Sequence, residues 1–201
     1  MQIARYQDII PKISPWLPKC DTPFILQQLR EAGRVFCERS EAWQHDIVPI
    51  DLVAEQTDYA IVPSWDARIN RILEVRINTE DGVDAGTEGA LQDEDSYDFI
   101  PPSTLSFTAE STYSVTDGLD VKVVLIPEPD SDDIDESFLD RWEWGIRALA
   151  LSKMLLMKQR PWSDPDNALD FKQQYLTALN KAKAEVGRKY KKASPGFRAA
   201  G

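Results

Sequence analysis

The chain has 201 residues, of which 42% are hydrophobic and 28% charged, a length and composition typical of one folded domain or one domain carrying an insertion. Its two cysteines and single histidine exclude a disulfide framework and a zinc-finger pattern, so we expect both thiols to be reduced. The net charge of −11 argues against binding to the outside of DNA as a bulk property, because phosphate contacts need clustered lysines and arginines.

The N-terminal region is predicted to contain a short helix or extended arm followed by one long helix. Apolar patches at Ile9-Ile10 and Trp16-Leu17 are interrupted by prolines. Asp21-Thr22-Pro23 then combines a capping side chain with a proline in the first turn, and predicts a helix from there to about Ser40. Its apolar face consists of Ile25, Leu29, Ala32, Gly33, Phe36 and Ser40, and Trp43 closes it.

Short apolar runs rich in β-branched residues replace the helical pattern from His45 to Ile126. We predict strands over 47–53, 59–62, 68–78, 105–108, 113–115 and 121–126, with Thr116-Asp117-Gly118 as a turn between the last two. This spacing favours an antiparallel sheet or small sandwich of about five or six strands. Residues 79–99 contain eight acidic residues and no basic one, and we predict that they form a long loop between strands.

Two amphipathic helices follow, separated by a short break at Arg160–Pro165. The first is predicted from Glu136 to about Gln159, and Ser163 or Asp164 caps the second. Apolar residues recur at helical steps, namely Phe138, Trp142, Ile146, Leu149, Leu156 and Met157 with the stem of Lys153 in the first helix, and Ala168, Phe171, Tyr175, Leu179 and Ala182 in the second. So short a connection predicts an antiparallel hairpin, with the helix at 22–40 as its third partner.

Two features of the C-terminal half indicate contacts with other molecules. Trp144 and Leu151 lie off the apolar stripe of their helix, so we predict that both contribute to a subunit interface. Residues 187–201 contain five basic residues and no acidic one. We predict an extended tail that becomes ordered on a partner through Arg188, Lys189, Tyr190, Lys191, Lys192, Pro195, Phe197 and Arg198. These residues alone leave protein docking and nucleic-acid binding both open.

No group of residues has the spacing of a catalytic or metal-binding site. The acidic groups at 93–95 and 130–136 lack the calcium-loop pattern, and Asp130–Asp133 are predicted instead to favour the start of the helix at Glu136. Cys37 and His45 form the only cysteine–histidine combination, and Cys37 lies on or beside a predicted buried helix face, away from the exposed setting that a reactive thiol needs. We therefore expect no enzyme activity, no cofactor and no metal.

The predicted fold class is α+β: a bundle of three to four helices with an inserted antiparallel β domain and an extended C-terminal tail. The bundle takes residues 1–44 and 130–186, the β domain takes 45–129 with its acidic loop at 79–99, and the docking tail takes 187–201. The N-terminus has no signal-like apolar run, and the most apolar segment, 148–157, is too short to span a bilayer. We expect a soluble, cytoplasmic protein without membrane contact.

Four segments occur in an order that resembles one known family. They are 29–43 (LREAGRVFCERSEAW), Gly118-Leu119-Asp120-Val121 with Leu125-Ile126-Pro127, Phe138-Leu139 with Trp142, and 158–165 (KQRPWSDP). Together they resemble the head-to-tail adaptor proteins of tailed bacteriophages, related to the tail tubular protein A of short-tailed phages. The resemblance extends from about Tyr6 to Val186.

This resemblance implies a structural virion protein of the neck, assembled in the host cytoplasm. It implies a ring, twelve copies in the relatives, that joins the portal of the head to the tail and continues the DNA channel. The implied partners are the portal protein, a tail or nozzle/stopper protein and further copies of the chain, with double-stranded DNA passing without specific binding. The tail from Arg188 onward would dock on the portal, and an acidic loop facing the channel would repel DNA.

The alternative hypothesis is a ligand- or carbohydrate-binding module built on the β domain. Such a module needs exposed aromatic side chains on one sheet face. Trp65 and Tyr97 are the candidates outside the predicted strands.

Overall fold

A computed structural model describes residues 3–78 and 89–193, with side chains described as far as Arg188. The fold is α+β, as the sequence predicts. The chain divides into two compact units. The helical unit holds the described residues up to Ala42 and those from Pro129 onward, and the strand unit holds Trp43–Glu128.

The helical unit contains four α-helices and one pair of short strands among its described residues. The helices are α1 (Ile10–Ile13), α2 (Thr22–Ser40), α3 (Glu136–Leu155) and α4 (Pro165–Ala193), with 3-10 turns at Tyr6–Ile9 and Ser14–Trp16. Strands β1 (Ile3–Arg5) and β10 (Asp133–Asp135) pair antiparallel. This pairing joins two segments that lie far apart in the sequence.

Helix α2 follows the predicted pattern closely. It begins at Thr22 with a proline in its first turn, although the Asp21 side chain makes no capping hydrogen bond. It ends where Glu41 adopts the left-handed conformation, with φ of 53°. All six residues of its predicted apolar face are buried. The helix therefore packs as its apolar period indicates.

Helix α3 begins at Glu136, as predicted, but ends earlier than predicted. The Asp135 carboxylate accepts a hydrogen bond from the Phe138 N–H at 2.9 Å and is the N-cap. Asp133 lies in β10 and Asp132 accepts two hydrogen bonds from Arg30, at 2.7 and 2.9 Å, and the contribution of Asp130–Asp133 to the helix start stays a prediction. The helix ends at Leu155 rather than Gln159, and Leu156, predicted to be buried, is exposed.

The side chain of Phe36 on α2 lies where α2, α3 and α4 meet. Its ring centroid lies 5.7 Å from that of Trp142 on α3 and 6.4 Å from that of Tyr175 on α4. A Cβ atom added at Gly145 would lie only 2.6 Å from the Cβ of Ala178. Helices α3 and α4 thus approach closely because position 145 has no side chain.

Within its described residues, 43–78 and 89–128, the strand unit contains two antiparallel sheets. Its strands are β2 (Gln44–Asp46), β3 (Ile50–Leu52), β4 (Asp58–Ala60), β5 (Ala67–Ile77), β6 (Ala90–Leu91), β7 (Tyr97–Ile100), β8 (Thr104–Phe107) and β9 (Val115–Pro127). One sheet has the order β2-β9-β5-β6, with β3 also paired to β9, and the other has the order β4-β8-β7. Strand β9 is the central strand, because β2, β3 and β5 all pair with it. Its side chains from Val123 to Ile126 are buried on both faces.

Two predictions about the strand unit are wrong. Thr116-Asp117-Gly118 does not turn the chain, because β9 continues through it with Asp117 in the left-handed conformation at φ of 52°. The pairing register with β3 shifts there, as at a β-bulge. The second error concerns 79–99. Residues 79–88 lie outside the described residues, but 89–99 contain β6, a 3-10 turn at Glu94–Ser96 and most of β7 rather than a loop.

Candidate partner-docking helix

Helix α4 begins at a well-defined cap. The Asp164 carboxylate accepts hydrogen bonds from the Asn167 side-chain amide at 2.6 Å and from the Asn167 backbone N–H at 3.1 Å. The first of these bonds, followed by the second, lowers the pKa of Asp164 below its ordinary value. Pro165 takes the first helical position, where its missing N–H is not needed. The start of α4 is therefore fixed.

The inner face of α4 is anchored along its length. Ala168, Tyr175, Ala178, Leu179 and Ala182 are buried, and four of these five were predicted from their spacing. The Phe171 ring, also predicted on this face, is half-buried and packs edge-on against Trp16 at 5.1 Å between centroids. Near the other end, the Glu185 carboxylate lies 2.6 Å from the Arg141 guanidinium of α3.

From Lys172 onward the exposed surface of α4 is basic and partly apolar, whereas its first turns expose Asp166 and Asp170. Its exposed bases within the described side chains are Lys172, Lys181, Lys183 and Arg188. After Asp170 the helix has a single acidic residue, Glu185, which pairs with Arg141. Leu169 and Leu176 are 61% and 41% exposed on this face. Two exposed leucines among cations make this face a candidate docking surface for an acidic partner.

The predicted docking tail is in part a continuation of α4. Its backbone is helical through Ala193, which places Lys189, Tyr190, Lys191 and Lys192 on the helix, and the Arg188 side chain is exposed. The prediction of an extended segment from residue 187 is therefore wrong up to residue 193. Lysine, arginine and alanine favour helix, and cations are favoured near a helix C-terminus. Pro195, Phe197 and Arg198 lie outside the described residues, and docking by the whole set remains a prediction.

The two residues predicted at a subunit interface lie in different surroundings. Leu151 is 1% exposed within its own chain, so it has no surface to offer a neighbour, and that prediction is wrong for this residue. The reason is that seven of the eight residues from Ala148 to Leu155, all except Lys153, are buried, so α3 is surrounded there and has no free side. Trp144 is half-buried and stays a candidate for an interface.

The aromatic residues required by the ligand-binding alternative are not free. Trp65 is 8% exposed and packs edge-on against Trp43 at 5.9 Å, and Tyr97 is half-buried against Phe107 at 6.4 Å. An open cavity of about 250 Å³ does lie in the strand unit, lined in part by Tyr59, Phe107 and Tyr113. Several polar side chains also line it, among them Gln56, Gln92, Ser96 and Glu110, so the ligand-binding alternative stays a hypothesis for this cavity.

The two thiols lie in different settings. Cys37 is fully buried on α2, and burial raises the pKa of its thiol far above the ordinary value, so it has the character of a packing residue, as predicted. Cys20 is only partly buried, and burial followed by the nearby Asp21 carboxylate raises the pKa of its thiol as well. Neither cysteine has the lowered pKa of an activated nucleophile.

Two features are absent from residues 3–78 and 89–193. Within these ranges no three or more histidine, cysteine, aspartate or glutamate side chains are grouped so as to hold a metal ion. Within the same ranges no helix is both long and apolar enough to cross a membrane.

The described chain thus combines a packed helical unit, a β unit and a long helix with exposed cations. The comparison with family models identifies the family: the chain belongs to the SU10 adaptor protein family, whose model matches residues 4–198. It is therefore a structural adaptor protein of the bacteriophage kind. A search of curated proteins found no match to the chain.

Proposed function

We propose that the protein forms a ring in the neck of the virion, between the portal of the head and the tail, and that the ring continues the DNA channel. Membership of the adaptor family over nearly the whole chain supports this proposal. The partners are the portal protein, a tail or nozzle/stopper protein and further copies of the chain. The resemblance to tail tubular protein A of short-tailed phages belongs to the same proposal.

The observation that carries the proposal is that α4 is packed along most of its length but not at its C-terminal end. Its inner face is fixed as far as Glu185, while a Cβ atom added at Gly187 would meet nothing within 4 Å. At Gly187 the helix therefore has open space beside it, and the sequence that follows has a net excess of cations: Arg188, Lys189, Lys191, Lys192 and Arg198. A cationic segment that projects from a fixed helix can reach a groove on a partner without rearrangement of the core.

DNA passes the ring without specific binding in this proposal. The strand unit holds 18 acidic and four basic residues, a net charge of −14. Such a charge repels phosphates and disfavours stable association with DNA. The proposal assigns the basic segment to the portal rather than to the genome on the basis of the family membership.

Co-sedimentation with the portal ring of the same virus tests the proposal. We compare the full chain, a chain that ends at Val186, and a full-length variant in which Arg188, Lys189, Lys191 and Lys192 are all glutamine. The variant keeps the length of the helix and removes four charges, so it separates charge from reach.

Binding by the full chain alone supports docking through the charged segment. Binding by the full chain and the glutamine variant, but not by the truncated chain, assigns docking to the length and remaining side chains of the segment. Equal binding by all three keeps the adaptor role and removes the segment from it. No binding by any of them contradicts the proposed function.

A further inference from the structure

The two units of the chain differ strongly in charge. The strand unit has a net charge of −14, whereas the rest of the chain has 16 acidic and 19 basic residues, a net charge of +3. Residues 187–201 contribute +5 to that total, and within 171–186 α4 has three lysines and one acidic residue, Glu185. Neighbours in a ring of identical copies meet through two different surfaces of the chain. A basic surface of one copy and an acidic surface of the next are therefore suited to each other by charge.

The acidic surface is the exposed face of the three-stranded sheet β4-β8-β7. In the pairing register, Asp98 of β7 and Asp58 of β4 both lie opposite Ser106 of β8, and the Ser106 hydroxyl donates to the Asp58 carboxylate at 2.5 Å. One step along, Ile100 and Ala60 both lie opposite Thr104, and Ile100 is 52% exposed.

The opposite face of this sheet is aromatic and covered. Tyr59 and Tyr97 both pack against Phe107, with ring centroids 5.7 and 6.4 Å apart. Because side chains alternate across a strand, the aspartates, Ile100 and Ala60 are held on the other face by this packing. The exposed face therefore has a fixed geometry.

The basic surface is the outer stripe of α4. Leu169, Lys172, Leu176 and Lys183 are exposed and follow each other at spacings of three, four and seven residues, which places them on one side of the helix. The two leucines are seven residues apart, or about 10.5 Å along the axis. Ile100 and Ala60 are two strand spacings apart, or about 9.5 Å. The two apolar pairs thus match in separation.

We propose that the exposed face of the β4-β8-β7 sheet of one copy docks on the outer stripe of α4 of a second copy. Ile100 and Ala60 pack against Leu169 and Leu176, while Asp58 and Asp98 lie beside the flanking lysines. The inference rests on the proposed function, because it names the contact through which the ring closes.

Charge reversal on each side tests the contact. The helix variant is Lys172→Glu with Lys183→Glu, and the sheet variant is Asp58→Lys with Asp98→Lys. Self-association of the full chain is measured by sedimentation at low ionic strength, where charge effects are largest. Each variant alone should associate at least about tenfold more weakly than the unmodified chain, because like charges then face each other.

An equimolar mixture of the two variants is the decisive sample. The glutamates of the helix variant then meet the lysines of the sheet variant, and the unmodified surfaces of the two proteins also remain complementary. Alternating copies should therefore associate about as tightly as the unmodified chain. Matched charge controls are Lys19→Glu with Lys158→Glu in the helical unit, which change exposed lysines outside the stripe and should leave association unchanged.

A thermal unfolding curve accompanies each variant. If Asp58→Lys with Asp98→Lys lowers the melting temperature, Asp58→Asn with Asp98→Asn replaces it, and a weaker association without rescue is then the expected result. Three outcomes overturn the inference: an unmodified chain that stays monomeric, variants that associate like the unmodified chain, or a mixture of folded variants that does not recover.

The outcome is independent of portal binding. A helix variant that loses affinity for the portal ring or for double-stranded DNA, while its self-association is unchanged, assigns the stripe to that partner and overturns the inference. Loss of portal binding by the unmodified chain would contradict the proposed function, whatever the sedimentation result.

Discussion

Gly145 allows α3 and α4 to approach closely, and replacing it tests whether that approach fixes the position of α4. A Cβ atom at position 145 would lie 2.6 Å from the Cβ of Ala178 and 2.9 Å from Cε2 of Phe36. Carbon atoms in contact normally lie about 3.5–4.0 Å apart. Either the two helices separate by about 1 Å or the Phe36 ring leaves its place between α2, α3 and α4.

The size of the effect follows from two opposing contributions. Adding one methyl group to a well-packed core costs about 1–3 kcal/mol. Alanine is favoured over glycine within a helix by about 1 kcal/mol, which offsets part of that cost. We expect Gly145→Ala to lower the free energy of unfolding by up to about 2 kcal/mol.

Urea unfolding followed by tryptophan fluorescence measures this difference, since Trp142 lies against Phe36. Gly187→Ala is the matched control, because it makes the same chemical change in α4 where a Cβ atom meets nothing within 4 Å. The control should be neutral or should stabilise the chain by up to about 1 kcal/mol. A Gly145→Ala variant as stable as Gly187→Ala would refute the close-packing argument.

Three further predictions concern single side chains. Tyr6→Phe should keep or raise the free energy of unfolding, by up to about 1 kcal/mol, because among the described residues the buried hydroxyl has no hydrogen-bond partner; chemical denaturation measures it. A thiol reagent should modify Cys20 but not Cys37 in the native chain, and both after unfolding, as mass spectrometry of the labelled protein would record. Asp164→Ala should lower the melting temperature most at neutral pH. The lowered pKa of Asp164 in the folded chain stabilises it above the ordinary carboxyl range, and this contribution is lost as the pH falls through the lowered value.

The helices could be predicted because each has one apolar face with a regular period. Every residue predicted on the apolar face of α2, from Ile25 to Ser40, is buried. On α4 the same holds for Ala168, Tyr175, Leu179 and Ala182. The period fails where a helix is buried on every side. Leu151 is off the stripe of α3 yet buried, because the spacing of apolar residues shows one preferred face and not how many neighbours a helix has.

The strands were harder to predict because their partners are distant in the sequence. Strand β7 has only four residues within an acidic stretch, and its pairing with β8 outweighs the weak local preference. The pairing of β1 with β10 joins residues 3–5 to 133–135, which no local pattern indicates. At Asp117 the turn residues were recognised, but within a long strand they form a bulge rather than a chain reversal.

Helix α4 carries both proposed contacts, and they lie on different parts of it. The stripe against a second copy spans residues 169–183, whereas the portal segment begins beyond Val186. Because the helix rises about 1.5 Å per residue, the centres of the two regions, at Leu176 and Tyr190, lie about 21 Å apart along the axis, whereas the nearest charges, Lys183 and Arg188, are about 7.5 Å apart. Truncation at Val186 keeps the whole stripe, so it should abolish portal binding and leave self-association unchanged. The variant with Lys172→Glu and Lys183→Glu should bind the portal like the unmodified chain and self-associate at least about tenfold more weakly. Sedimentation of each protein alone measures its self-association, and sedimentation with the portal ring measures its portal binding. If either change removed both interactions, the two contacts would be coupled and could not be assigned to separate parts of α4.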